Sequence, residues 1–210
     1  IGHAVDTAAI ISYLRRGLAR QATGIVPAMS WAYGAGDSGL NYDLDAAREL
    51  LDEAGLRDPD GDGPEPRIRL TLKTSTDERY RLQAAVIQQN LAQVGIAVEI
   101  RSSEFATLMS DVIRGNMQLY TLQFVGITDP DMLRRAFQGS QVPPAGFNRG
   151  HYASAEVDAL LDRASVALDE SERRELYGKV QRLVAADAPF ISLWAKTNVA
   201  VSQDALEGIE

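Results

Sequence analysis

Hydrophobic residues at helical spacing open the chain. Ile10, Ile11, Leu14 and Leu18 recur on one side with Arg15, Arg16 and Arg20 mostly opposite, which predicts an amino-terminal helix. The period lapses over residues 22–42, a Gly- and Pro-containing stretch that carries Trp31 and Tyr33. Loops of that length in a compact domain are often functional. The helical period returns in Leu44, Ala47, Leu51 and Ala54, with Asp43 as cap and Gly55 as the left-handed terminator. Beyond a turn-rich connector at 57–66 the period drops to two. Ile68, Leu70 and Leu72 alternate with Arg67, Arg69, Thr71 and Lys73, a strand with one wet face. Ser75-x-x-Glu78 reads as a capping box before a helix whose face is Tyr80, Ala84, Ile87, Leu91 and Val94, closed by Gly95.

Ile96, Val98 and Ile100 make a second strand, so the unit is βαβ with parallel strands and a right-handed crossover. Ser103 is placed to cap a helix through Phe105, Leu108 and Val112 that ends near Gly115. Residues 119–124 are apolar enough to predict a third, central strand. Ser154 opens a helix through Val157, Leu160, Leu161 and Ala164, and Asp169 opens another through Leu176, Val180, Leu183 and Val184. Pro189 stops the second, before a last strand at Phe190, Ile191, Leu193 and Trp194. No repeat of 20–50 residues and no low-complexity linker divides the chain. The pattern predicts one α/β domain over 1–210, a mixed sheet with flanking helices.

Composition narrows the function classes. At 45% hydrophobic and 24% charged residues, with 17 Gly and 8 Pro, the chain is neither disordered nor collagen-like. Its 210 residues suffice for a core without a metal or disulfide. The absence of cysteine removes thiol nucleophiles, zinc-thiolate sites and disulfides together. Net charge is −8 (21 basic minus 29 acidic residues). The longest basic runs are pairs (Arg15-Arg16, Arg134-Arg135, Arg173-Arg174), which argues against nucleic acid as a partner. No stretch approaches the roughly 20 apolar residues of a membrane span. The chain opens on Ile1 with no Met and no leader pattern, so a processed or excised piece is expected.

Catalytic motifs are weak. Asp58-Pro-Asp60-Gly-Asp62-Gly63 imitates half of a calcium loop, but its twelfth position is Arg69 and its eighth Glu65, the marks of an acidic turn. Gly36-Asp37-Ser38-Gly39 resembles the nucleophile segment of chymotrypsin-like proteases, yet Leu40 follows and only His3 lies upstream. His3 and His151 are isolated. Asp129 and Asp131 around Pro130 leave a hydrolase alternative open, although such a pair commonly makes a turn and a helix start. Binding, with no cofactor and no metal, is the leading reading. Its candidates are the Trp31/Tyr33 loop, the Phe124–Asp131 segment leaving a strand's carboxyl end, and Phe147-Asn148 in the irregular 139–152 stretch. For each aromatic the alternative is a lid over its own core.

The order of motifs resembles a known family. It runs from Ala4-Val-Asp and Gly17-Leu18-Ala19 through Tyr42-Asp43-x-x-x-Ala47-x-x-Leu50-Leu51-x-x-Ala54-Gly55 to Val94-Gly95-Ile96-x-Val98. Thr128-Asp129-Pro130-Asp131, Phe147-Asn148, Tyr152, Glu156-Val157-Asp158-x-Leu160-Leu161 and Pro189 follow. Across nearly all of the chain this is similar to the substrate-binding proteins of peptide-type ABC importers, extracellular solute-binding family 5. The resemblance implies a periplasmic-binding-protein-like fold (type II, cluster C) of which this chain is the carboxyl-proximal lobe, domain III. The segment from about 197 would turn back towards the amino-terminal lobe. It implies a periplasmic or extracellular receptor, free or lipid-anchored, that catalyses nothing. Its partners would be a peptide or similar small solute, the amino-terminal lobe and ABC permease subunits in the membrane.

The implied ligand wall is Trp31, Tyr33, Phe124, Val125, Gly126, Ile127, Thr128, Asp129, Phe147 and Asn148. In peptide-binding members an Asp four residues before the Asp-Pro proline typically pairs with the ligand's α-amine, and Gly126 stands there instead. An apolar wall of this kind suits a bulkier or amine-free solute. A protein-interaction module that docks through the would-be interlobe face is a third reading.

Overall fold

The computed structural model describes residues 1–34, 40–61 and 63–198. The protease-like Gly36-Asp37-Ser38-Gly39, Asp62 of the acidic turn and most of the expected return segment lie outside the described residues.

The amino-terminal helix is shorter and less regular than its periodicity suggests. A 3-10 turn (Gly2–Ala4) precedes α1 (Thr7–Ala9), which Asp6 caps and which runs into a π turn at Ile10–Leu14. Arg16 and Gly17 take positive φ of 52° and 74° and end it, so Leu18 lies beyond the helix and is half-exposed. The chain then enters β1 (Ala19–Gln21), which the alternation does not reveal. The second helix, α2 (Leu44–Glu53), forms as expected, with the Asp43 carboxylate accepting from Asp45 N and Ala46 N.

The βαβ unit is β2 (Ile68–Ser75), α3 (Glu78–Ala92) and β3 (Ile96–Ser103), its strands parallel and paired from Ile68–Ile96 to Ser75–Ser103. The cap of α3 differs from the sequence reading. Asp77, not Ser75, accepts from Arg79 N, while Ser75 Oγ accepts from Asp77 N. The Arg79 side chain on that carboxylate holds its pKa down at about 2. Next comes α4 (Phe105–Ile113), capped at Glu104 rather than Ser103 and without a side-chain bond. Phe105, expected on the inner face, is 61% exposed.

The third strand, β4 (Leu119–Tyr120), has two residues instead of six and lies at the sheet edge, since the order is β3-β2-β4. Leu119 pairs with Leu72 in parallel, which makes β2 the central strand. The chain moves to one side of β2 and then to the other, and crossovers of a single hand must then put their helices on opposite faces. The side chains agree. Leu72 packs in the core with Ile87 and Leu91 of α3, whereas Lys73 reaches Asp111 of α4 at 2.7 Å.

Helices α5 (Met132–Phe137), α6 (Ala155–Val166) and α7 (Glu170–Asp187) complete the chain, with Ser154 and Asp169 capping the last two as their sequence predicts. Ala188 takes a left-handed conformation (φ 46°) directly before Pro189 and ends α7. The last strand, β5 (Trp194–Lys196), begins at Trp194, later than expected, and pairs antiparallel with β1 in a separate ribbon. Arg15 lies over the Trp194 ring at 4.7 Å and anchors that ribbon to the first core.

Two hydrophobic cores result. One joins α2, α3 and the sheet through Leu51, Leu72, Ile87, Leu91 and Ile96. The other joins α5, α6 and α7 through Leu133, Phe137, Leu161, Tyr177 and Val180. Among the described residues, no helix is long and apolar enough to cross a membrane.

Candidate functional site

The candidate segments meet along the rim of the helical core. Residues 27–34 form successive turns, Ser30 N to Pro27 O and Tyr33 N to Ser30 O. Gln181 of α7 clamps them from below, its Nε2 donating to Ala32 O and its Oε1 accepting from Gly34 N. Trp31 meets Tyr177 edge-on, with ring centroids 6.2 Å apart, and Arg173 lies over the Trp31 ring at 5.3 Å. Tyr33 stands apart, its hydroxyl 3.1 Å from Thr23 Oγ1. Both aromatics are partly buried against the helical core, so each lids that core and offers only its outer edge to a ligand.

The 121–131 segment leaves the carboxyl end of β4, beside the central strand where the chain switches direction. Open α/β sheets collect ligands at such switch points. Phe124 packs edge-on against Phe190 at 6.3 Å. Val125 is 73% exposed, Gly126 has φ 66°, and Thr128 and Asp129 are exposed. Ile127 is half-buried. Asp129 Oδ1 accepts from Asp131 N at 2.8 Å, a local turn that opens α5. Asp131 Oδ1 is buried without a partner. The two acids reinforce the positive charge of Arg173, whose pKa is raised first by its contact with the Tyr177 hydroxyl.

Phe147 is gripped by two guanidiniums, Arg135 at 4.3 Å and Arg149 at 5.2 Å from its ring. Arg149 also lies 5.9 Å from the Phe124 ring, so it ties the second candidate segment to the third. Arg173, over the Trp31 ring, lies in the field of Asp129 and Asp131. Sequence reasoning missed both arginines, because it weighed basic residues only as runs able to meet nucleic acid. The available signal was the arginine directly following Phe147-Asn148.

Asn148, expected on the ligand wall, faces inward and is 0% exposed. Its Nδ2 donates to Gln138 O at 3.1 Å and Tyr152 O at 2.8 Å, and its Oδ1 accepts from Tyr152 N at 2.9 Å. An amide that closes a loop on itself has no free atom for a solute, so its role is to shape the 147–152 turn. Tyr152 completes that turn by donating to Asp187 at the end of α7.

Burial, and then the Asp187 carboxylate, push the Tyr152 phenol up to about 12. Below pH 10 the tyrosine is neutral in both folded and unfolded chains, and its contribution is complete. Above that pH the unfolded chain ionises freely while the folded one resists, so stability falls until about pH 12. The expected loss is about 1 kcal/mol, because the partly exposed ring lets water screen the interaction. Thermal melts at pH 9 and pH 11.5 check it: Tyr152→Phe should lose less melting temperature between the two than the parent does.

The remaining candidates fall away on geometry. Asp58 Oδ1 accepts from Asp60 N, and Asp60 Oδ2 from Glu65 N, so the acidic turn spends oxygens on its own backbone. Among the described residues no group of three His, Asp or Glu side chains could hold a metal. His3 Nδ1 sits 2.8 Å from Asn41 O, and His151 is exposed. A cavity of about 30 Å³ beside Phe137 and Phe190 holds at most a water. The site is therefore an open aromatic and cationic face.

Known proteins share this fold. The description "Bacterial extracellular solute-binding proteins, family 5 Middle" matches residues 1–143. The glutathione-binding protein GsiB of Escherichia coli K12 is 29% identical over 99% of this chain and 40% of its own length. The periplasmic binding protein DppA of Helicobacter pylori, solved with the peptide STSA, superposes with a TM-score of 0.80 at 28% identity, over 92% of this chain and 36% of its own. The oligopeptide-binding protein AppA of Bacillus subtilis, solved with a nonapeptide, gives 0.85 at 26% identity, over 93% and 40%. The chain spans about two fifths of the length of such relatives. Its mixed α/β fold is that of a type II periplasmic binding protein. With the family description covering 143 of 210 residues, the chain belongs to the bacterial extracellular solute-binding proteins of family 5.

Proposed function

We propose that these 210 residues are one lobe of a receptor for an ABC importer, contributing one wall of a cleft that closes on a peptide or similar small solute. Delivery would be to permease subunits in the membrane, from a periplasmic or extracellular position, with no bond made or broken. The observation that carries the reading is the open face at the carboxyl end of β4. There Phe124 and Phe147, joined by the Arg149 guanidinium, lie beside the exposed residues Val125 and Gly126. Aromatic edges supply contact area at low entropic cost, and backbone groups orient a polar chain. The peptides bound by the Helicobacter and Bacillus proteins support a peptide-like solute. The tripeptide handled by the Escherichia protein, on its name, does so too.

An open face holds a solute weakly, because water reaches every contact until a second wall excludes it. The 210-residue chain is therefore expected to bind peptides with Kd no tighter than about 1 mM, some 4 kcal/mol of binding free energy. Isothermal titration calorimetry checks this. A Kd of micromolar or better for the chain alone would show a complete site and overturn the half-cleft reading.

A further inference from the structure

Arg149 meets the rings of two candidate segments at once. Arg173 instead contacts the Tyr177 hydroxyl and lies in the field of Asp129 and Asp131. Arg149 forms no ion pair and donates no side-chain hydrogen bond among the described residues; its guanidinium lies over the rings of Phe124 and Phe147. Stacking on a ring uses the flat face of a guanidinium and leaves its N–H edge free, and that edge has the geometry of a carboxylate. The rings also hold the side chain in place, so less rotamer freedom is lost when a ligand arrives.

The end of β4 adds polar groups beside it. The Tyr120 hydroxyl and Thr121 Oγ1, at the end of β4, are both buried with no hydrogen-bond partner. The charge of Arg149 reaches the Tyr120 phenol and counters the rise that burial imposes on its pKa. Arg135, 4.3 Å from the Phe147 ring, adds a second cation without an ion pair among the described residues. Meanwhile the chain as a whole carries −8 and repels anions at a distance. An unanswered guanidinium on the candidate wall of so acidic a chain is a local exception to its field.

We propose that Arg149 is a carboxylate-recognition residue and that the preferred solute is a peptide-like acid, held through its carboxylate. This rests on the receptor reading above and adds to it the chemical class of the ligand. The probes are N-acetyl-trialanine with a free carboxyl terminus and the same peptide as its carboxyl-terminal amide, titrated at millimolar concentration into the isotope-labelled 210-residue chain. Amide resonances of residues 124–131 and 147–150 report binding by NMR.

The acid is expected to shift these resonances with an affinity at least tenfold above that of the amide. Arg149→Gln should erase the difference. Arg149→Lys, which keeps the charge but loses the planar edge, should retain less than half of it on a logarithmic scale. Amide spectra of both variants outside the site verify their fold. Equal binding of acid and amide, unchanged by either variant, would overturn the carboxylate assignment while leaving a peptide-binding face. No perturbation of these segments by either probe would overturn the receptor reading with it.

Discussion

Asn148→Ala should cost about 3 kcal/mol of unfolding free energy, the penalty for orphaning buried backbone groups. The side chain is fully buried and bonds three backbone atoms of its own region: Gln138 O, Tyr152 O and Tyr152 N. Alanine leaves two carbonyls and one amide to find water in a space that an amide filled. Each buried group so stranded costs about 1–3 kcal/mol, and partial rehydration brings the sum down. Urea denaturation measures it. The midpoint should fall with an unchanged slope, because the surface exposed on unfolding is the same. Asn148→Asp should be worse still, since a carboxylate cannot donate to the two carbonyls and would carry a charge into the interior. The same turn holds Phe147 and Arg149 in place. A loss below about 1 kcal/mol for Asn148→Ala would mean that water already serves the loop, and that its shape is set elsewhere.

Asn148 also marks where the sequence stops being legible. A polar residue beside an aromatic in an irregular loop looks the same whether it faces a ligand or folds the loop upon itself. Only the three-dimensional position of Gln138, ten residues away, separates the two. Elements with a strong period and local stop signals were readable: α2 between Asp43 and Gly55, the parallel pair at Ile68 and Ile96, and α6 and α7 behind Ser154 and Asp169. Elements that exist through distant pairing were not. β1 is defined by its partner β5, some 175 residues on, and its own three residues show no alternation. The apolar run at 119–124 pointed to a central strand, but pairing stops at Tyr120 and the run turns away to bring Phe124 against Phe190. Apolar character there serves a second core rather than the sheet. Arginines were missed for a related reason: Arg149 follows its ring closely in the sequence, but Arg173 meets Trp31 from the far end of the chain.

Tyr177→Ala should be the most destabilising single change at this face, at about 4 kcal/mol. Tyr177 is 0% exposed on the inner side of α7 and is among the largest fully buried side chains of the helical core. Its ring receives the edge of Trp31 and one face of Arg173, so the candidate wall rests on it. Removing the ring leaves a cavity that rigid neighbours cannot fill, and both the transfer free energy and the lost dispersion contacts count. The hydroxyl contributes much less. Its contact with Arg173 Nη2 is 3.4 Å, long for a charge-assisted bond, so Tyr177→Phe should cost below about 1 kcal/mol. Denaturation of the two variants separates ring from hydroxyl. The chain has two tryptophans, Trp31 and Trp194, and a Trp194→Phe background isolates the emission of Trp31. In that background Tyr177→Ala should move the folded-state emission to the red as water reaches the indole, and Tyr177→Phe should not. If the phenylalanine variant lost as much stability as the alanine one, the wall would hang on the Tyr177–Arg173 contact and the field of Asp129 and Asp131. Packing of a ring would then have no claim to be what positions Trp31.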